Sequence, residues 1–453
     1  MKNIFHLKKL ALIFGDIFVF YLALYLTLAA RYLAWPDNNL LFGHLWPFTL
    51  IFSAWIIIFY IADLYNLHLA VNNGRFFQAI NRSILIAAAA ALIFFYATPE
   101  IGIAPKTNLF IYILVFYVLF FFWRRFYNMA LKSYLPKKNV VFIGYEPLVG
   151  EIVAELKAKP HLGYVASFIF NEAGRGAAGL ETISRMSELE QSIRAKKVST
   201  IVLVDDPHHS AELRLALFNC LPLKIDFINL TKFYETLLGR IPLEALSQMW
   251  FLKNLSEGSK SAFDALKRFG DFILSLAILI ATAAFWPLIG LAIKADSRGP
   301  IFFKQTRVGR NGRIFIMIKF RTMTEAENDR RPTVAGDSRI TKLGGFLRKT
   351  RLDELPQILN IMKGDMSFVG PRPERPELAS ELEKAIPFYR ERTLVKPGVT
   401  GSDQVSGEYH SPSVEDSLKK LQYDLFYIKN RSLYLDLTII LKTIATVLLR
   451  EGR

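Results

Sequence analysis

The chain of 453 residues holds a single cysteine, 56 Lys and Arg against 40 Asp and Glu for a formal charge of +16, and 52% hydrophobic side chains with only 21% charged. So apolar a composition excludes intrinsic disorder and fits poorly with an ordinary soluble domain, while the lone Cys220 excludes an intramolecular disulfide and a cysteine-based zinc site. The joint excess of apolar and basic residues points to a polyanionic partner, either nucleic acid or an anionic membrane face with phosphorylated substrates.

Four apolar runs open the chain, at 10–30, 45–62, 77–97 and 109–123. Their length suits helices that cross a hydrocarbon core. A signal peptide would account for the first alone, and that stretch is too long and has no clear small-residue cleavage site. Lys2, Lys8 and Lys9 precede the first run, Arg75 and Arg82 flank the third, and Arg124, Arg125, Lys132, Lys137 and Lys138 follow the fourth, whereas the alternate loops carry only Arg31 and Lys106. The positive-inside rule then puts the N-terminus and everything after Trp123 on the cytoplasmic side. Asp16 and Arg82 stand where charge is costly, which fits either a functional role or pairing within the bundle and snorkelling.

From residue 136 the pattern changes to short apolar runs alternating with amphipathic ones. Strands are expected at 139–144, 164–170, 199–206 and 223–228, with helices at 148–157 and 186–196. This alternation implies a parallel α/β sheet. The first strand-to-helix turn, Gly144 to Gly150, lacks the GxGxxG pattern: Glu146 brings a carboxylate and Pro147 removes an N–H where a pyrophosphate would lie. The module reads as Rossmann-like but degenerate, with a regulatory or packing role. His208 and His209, beside Asp205 and Asp206, read as solvated rather than metal-binding.

The apolar run 272–293 has spanning length, yet Lys267 and Arg268 precede it and Lys294 and Arg298 follow it. Positive charge at both ends suits a segment that enters and leaves on one side. Pro287, after Trp286, favours a kink. A re-entrant hairpin over about 267–293 is therefore expected, with Ser275 or Thr282 satisfying freed carbonyls, against the alternative of a fifth spanning helix. Next, Lys304, Arg307, Arg310, Arg313, Lys319 and Arg321 alternate with apolar residues, and Arg339, Lys342, Arg348, Lys349, Arg351, Arg372 and Arg375 follow. Guanidinium groups suit phosphate oxygens, so this cluster predicts a polyanionic ligand. No helix-turn-helix, zinc or RNP pattern accompanies it, which argues against nucleic acid.

Within the cluster lie Asp353 and Glu354, before Leu355 and Pro356. Leu-Asp-Glu-Leu-Pro reads as a helix start with Asp353 near the cap. A carboxylate there can attack phosphorus, and its neighbour can hold Mg2+ bridging phosphate oxygens. Asp353 as a plain helix cap is the equal alternative. The apolar segment 433–449, with Asp436 and Lys442, suits an interfacial helix or one packed on the Rossmann-like module.

Lys267-Arg268 before a proline-broken apolar helix, Asp296-Ser-Arg-Gly-Pro300, Phe303-Lys-Gln305, Lys319-Phe-Arg321, Leu352-Asp-Glu-Leu-Pro-Gln357 and Val369-Gly-Pro-Arg-Pro373 together resemble the bacterial sugar transferase family, monotopic polyprenyl-phosphate phosphoglycosyl transferases, over most of the chain after residue 260. The four N-terminal runs and the degenerate module resemble its large members. The resemblance implies transfer of a sugar 1-phosphate from a UDP-sugar to undecaprenyl phosphate, with release of UMP, as the first membrane step of O-antigen, capsule or exopolysaccharide synthesis. It makes Asp353 the nucleophile of a two-step course through a phosphosugar-aspartate and Glu354 the Mg2+ ligand. It also marks Lys319, Arg321, Arg348 and Arg372, with Lys267, Arg268 and Gln404, as substrate-binding candidates, and Trp286-Pro287 as the membrane kink. Arg351 departs from the Ser that many relatives carry there. Implied partners are the UDP-sugar, undecaprenyl phosphate, lipids of the bacterial inner membrane and, in a homo-oligomer, a second copy, with no nucleic acid.

The expected architecture is a membrane α-helical bundle (1–135), an α/β Rossmann-like domain (136–250) and a mainly helical, sheet-poor monotopic catalytic domain (251–453) facing the cytoplasm. A membrane-anchored nucleotide-sugar dehydratase or epimerase is the main rival, and would need an intact glycine fingerprint and a Tyr-x-x-x-Lys pair. A non-catalytic lipid-binding scaffold is the second.

Overall fold

Long runs of Leu, Ile, Phe and Ala favour unbroken helices, and four open the computed structural model: α1 (Lys2–Tyr32), α2 (Asn38–Ile61), α3 (Gly74–Ala97) and α4 (Pro105–Ser133). The structure describes residues 2–98, 105–133, 137–204, 210–255, 260–324, 337–406 and 413–449. His208, His209, Asp205 and Asp206 lie outside these. Two compact units emerge, divided between Leu237 and Leu238.

All four opening helices are long and apolar enough to cross a membrane. Asp37 starts α2 by accepting from Leu40 N at 2.8 Å, and Asn73 starts α3 by accepting from Phe76 N at 2.8 Å. Each such cap stabilises by about 1 kcal/mol. Rings fill the interior: Phe20 stacks on Phe52 and Phe116 at 4.9 and 5.1 Å, and Trp55 meets Phe116 edge-on at 5.1 Å. Gly15 lets α1 and α4 approach, since a Cβ there would overlap the Trp123 indole. Asp16 is fully buried and pairs with Arg124 Nη2 at 2.6 Å, while Trp123 Nε1 donates to its other oxygen at 2.9 Å. Arg124, read from sequence as part of the basic junction after the fourth run, is thus inside the bundle, because α4 continues to Ser133. Arg82 is exposed on α3.

The same unit carries β1 (Lys138–Ile143), α5 (Pro147–Ala158), β2 (Tyr164–Phe170), β3 (Thr182–Ile183), α6 (Met186–Ala195), β4 (Val198–Leu203), α7 (Ala211–Asn219), β5 (Asp226–Asn229) and α8 (Leu230–Leu238). The five strands form a parallel sheet in the order β3-β2-β1-β4-β5. Both faces are covered, as apolar strands demand. Val141, Phe168 and Ile201 pack with Leu189, Ile193 and Leu217, and Phe142 packs on Phe233 at 6.1 Å. Pro147 opens α5 with Glu146 at the cap position, and no side chain caps that helix.

The second unit contains α9 (Gln248–Asn254), α10 (Ser261–Thr282), α11 (Phe285–Asp296), β6 (Phe302–Val308), β7 (Ile314–Phe320), α12 (Lys342–Lys349), α13 (Gln357–Lys363), β8 (Ser367–Val369), α14 (Pro376–Ala385), β9 (Gly398–Thr400), α15 (Val414–Asn430) and α16 (Leu433–Leu449). Ile241, Trp250, Phe251 and Leu255 join its core with Leu421, Leu425 and Ile428. α10 and α11 are bent by 64° at residues 283–284. Trp286 and Pro287 lie in the first turn of α11; the proline has no N–H to offer Ala283 O, which accepts from Trp286 N at 3.2 Å instead, so the α-helical ladder breaks upstream of the proline. Thr282 Oγ1 donates to Ile278 O at 2.7 Å and accepts from Trp286 Nε1 at 3.2 Å, while Ser275 Oγ is buried without a partner. One face of α16 packs on β8 and β9, and Leu433, Tyr434, Leu437 and Ile444 are exposed on it.

Candidate active site

Three local features bring the two acids together with their cations. The β6–β7 hairpin pairs Phe303 with Lys319 and delivers that lysine at its end. Asn360 of α13 fastens the hairpin, accepting from Ile318 N at 3.1 Å and donating to Ile316 O at 2.7 Å. Between α12 and α13, Arg351 turns the chain with φ +58°, and Leu352–Glu354 form one 3-10 turn. The helix start expected at Asp353 is therefore displaced: α13 begins at Gln357, after Pro356. Nor does Asp353 act as a cap, since its Oδ1 is buried without any hydrogen-bond partner.

Lys319 Nζ donates to Glu354 Oε1 at 2.8 Å, with Arg372 Nη2 at 3.6 Å and Arg351 Nη1 at 3.9 Å from the same oxygen. Arg348, in the last turn of α12, is oriented by Thr322 Oγ1 at 2.8 Å. Burial pushes the Glu354 carboxyl up, but Lys319, Arg372 and Arg351 outweigh it and hold the group at about 2. Asp353 is raised, first by burial and then by the Glu354 charge, against the pull of Lys319, Arg348 and Arg351. Burial lowers Lys319, with Glu354 opposing. The two adjacent carboxyls are thus driven apart, Glu354 downward and Asp353 upward.

Other sequence candidates are committed elsewhere. Arg321 is buried, and it donates to Arg298 O at 2.7 Å and Ser297 O at 2.8 Å. It clamps the turn where Gly299, at φ +130°, leaves room for the guanidinium. Arg268 donates to the carbonyls of Ile361 and Met362 at the end of α13, the latter at 2.6 Å. Lys267 pairs with Asp436 at 2.6 Å. In this structure all three of these substrate-binding candidates are engaged by protein groups, Arg321 and Arg268 by carbonyls and Lys267 by a carboxylate. Gln404 has a buried Oε1 without a partner, beside Gly401.

The sequence model described as "Bacterial sugar transferase" matches residues 262–450. A Klebsiella pneumoniae protein named UDP-glucose:undecaprenyl-phosphate glucose-1-phosphate transferase is 30% identical over 312 residues, 68% of this chain and 67% of that one. The chain belongs to the bacterial sugar transferase family. An Aeromonas hydrophila member, UDP-N-acetylgalactosamine-undecaprenyl-phosphate N-acetylgalactosaminephosphotransferase, is 38% identical over 54% of this chain and 58% of its own. A Xanthomonas campestris pv. campestris member, UDP-glucose:undecaprenyl-phosphate glucose-1-phosphate transferase, is 43% identical over 43% of this chain and 42% of its own. The chain thus spans about half the length of these last two curated relatives.

Within the family segment, three residues escaped the sequence reading. Asn360, Arg392 and Asp424 are all buried and polar; Asn360 and Asp424 have mostly apolar neighbours, while Arg392 follows Arg390 and Glu391 and precedes Thr393. For Asn360 and Asp424, a polar residue on an otherwise buried face was the available signal, since such groups need partners.

Proposed function

We propose that the chain is a polyprenyl-phosphate hexose-1-phosphate transferase, moving a sugar 1-phosphate from a UDP-sugar to undecaprenyl phosphate and releasing UMP. The observation that carries this is the pair of neighbouring buried carboxylates shifted in opposite directions, Glu354 down to about 2 and Asp353 up, with the bare Oδ1 of Asp353 among cations. An oxygen of Asp353 attacks the sugar-bearing phosphorus. The bond from that phosphorus to the bridging oxygen breaks, and UMP departs with the electron pair. A phosphate oxygen of the lipid then attacks the same phosphorus, and Asp353 leaves as a carboxylate. Lys319, Arg348 and Arg372 bind phosphate oxygens and offset the repulsion between anions.

Mg2+ fits the donor set, which consists of hard carboxylate oxygens that suit a cation completing its shell with phosphates and water. All three cations near Glu354 approach Oε1, and among the described residues none is bonded to Oε2. Glu354 would hold the ion through Oε2, beside Asp353. When bound, the ion neutralises charge on the phosphate oxygens.

The reading extends to organisation. The four opening helices form a membrane domain, expected over 1–135, the sheet a Rossmann-like module without its fingerprint, expected over 136–250, and the rest the catalytic domain, to whose core Ile241 and Trp250 already belong. The 64° bend between α10 and α11 fits a re-entrant hairpin that enters and leaves on the cytoplasmic side of the bacterial inner membrane. The product would begin an O-antigen, capsule or exopolysaccharide repeat unit.

Purified protein incubated with undecaprenyl phosphate, Mg2+ and each of UDP-glucose, UDP-galactose and their N-acetylated counterparts tests this. UMP is expected from at least one donor, and mass spectrometry without the lipid is expected to find a phosphosugar on Asp353. No UMP from any donor would leave the scaffold reading standing. An adduct on another side chain would remove Asp353 from its role.

A further inference from the structure

Residues 371–374 read Pro-Arg-Pro-Glu, so two of the four have no N–H to tether the loop. Carbonyls do the tethering. Pro371 O accepts from Gly398 N at 3.0 Å, Arg372 O from Arg392 Nη2 at 3.1 Å, Pro373 O from Arg307 Nη1 at 2.8 Å, and Glu374 O from Val308 N at 3.0 Å. Four successive carbonyls are each held by a different donor, and the loop they fix presents Arg372 to Glu354.

Arg392 is the most deeply engaged of these donors. Its Nε and Nη2 lie 3.0 and 2.8 Å from Asp424 Oδ2, and its Nη1 donates to the Tyr389 hydroxyl at 2.6 Å and lies 3.7 Å from Glu374 Oε1. The guanidinium is buried, and its carbon stands 5.0 Å over the Tyr389 ring. A planar fork seated on three groups has one orientation, which makes it a better locator than an ammonium on a flexible stem. Such a brace could stand anywhere in a core. What distinguishes this one is that its remaining bond ends on the peptide of Arg372.

We infer that Arg392 is a positioning residue for phosphate binding: seated on Asp424 and Tyr389, it fixes the Arg372 carbonyl and so the line along which the Arg372 side chain meets a donor diphosphate. The inference rests on the transferase reading, which brings a diphosphate to Arg372. The site it concerns is the same; the residue and its route of action are new to it.

A double-mutant cycle read by calorimetric titration of the full-length protein with UDP and Mg2+ tests it, since binding stays measurable when turnover is lost. Arg392→Lys is expected to weaken UDP binding about tenfold, within the range that coupled neighbours show. Arg372→Lys should do the same, and the double variant should bind no more weakly than Arg372→Lys alone. A purely structural role would lower thermal stability and leave the two effects multiplicative. Multiplicative effects, unchanged binding in Arg392→Lys, or wild-type protein that does not bind UDP would each overturn the inference. If Arg392→Lys does not fold, Tyr389→Phe, which removes only the hydroxyl under Nη1, takes its place in the cycle, with about threefold weakening expected and the same coupling test. Wild-type protein that binds UDP yet releases no UMP would defeat the transferase reading and leave the cycle intact.

Discussion

Each unit buries a carboxylate against arginine or lysine, and the two sites differ in how completely they are satisfied. In the helical unit both oxygens of Asp16 are taken, one by Trp123 and one by Arg124, and Arg124 Nη1 goes on to Leu64 O at 2.6 Å. In the second unit three cations crowd one oxygen of Glu354, while Asp353 Oδ1 has none. Buried polar groups are almost always partnered. An acid with both oxygens partnered fits a brace, whereas a buried acid oxygen left bare among cations fits the proposed place for a substrate's own groups.

The comparison can be broken in several ways, and the largest expected effect is at the unpartnered acid. Asp353→Asn should lower UMP release by at least about 10³-fold, with thermal stability unchanged or improved, since the charge that burial opposes is gone. Asp16→Ala should do the reverse. It leaves Arg124 charged and unpaired, at a cost of about 3–5 kcal/mol in detergent unfolding, and the folded fraction should keep its turnover. Lys319→Ala should reduce kcat/KM by roughly 10². It should also shift the acid limb of the pH profile: removing a nearby cation raises the Asp353 carboxyl further, so activity is lost at higher pH as that group protonates. In the wild type the same limb should already lie above the ordinary aspartate range, with Glu354, held at about 2, charged throughout. At the small end, Thr341→Ala removes the hydroxyl that accepts from Gly344 N at 3.0 Å, and should cost about 1 kcal/mol in thermal unfolding without altering the pH profile.

Periodicity made much of this fold legible. Four apolar runs, an alternation of strands and helices, and a proline after a long apolar stretch each follow from local rules. What local rules could not reveal is the destination of each cation. Arg268, Arg321 and Lys319 look alike in sequence, yet a guanidinium satisfies a backbone carbonyl as well as a phosphate, and only the tertiary fold assigns the first two to carbonyls. The left-handed turn at Arg351 was equally hidden, because a non-glycine residue with positive φ has no sequence signature. It moved the helix start to Gln357 and set Asp353 on a 3-10 turn. Asn360 and Arg392 escaped because their partners lie 42 to 44 and 20 to 32 residues away.

The Asp16–Arg124 contact also constrains how the protein is made. Its two halves are separated by 108 positions, so at ribosomal speeds of about 5–20 residues per second the acid emerges some 5–20 s before its counterion exists. For that interval the first helix carries an acid without its counterion, which makes it a poorer solute for lipid whether it is charged or takes up a proton. Integration of the bundle is therefore cooperative across its first and last helices, and a truncated chain that ends before Arg124 should remain extractable from the bilayer or be degraded.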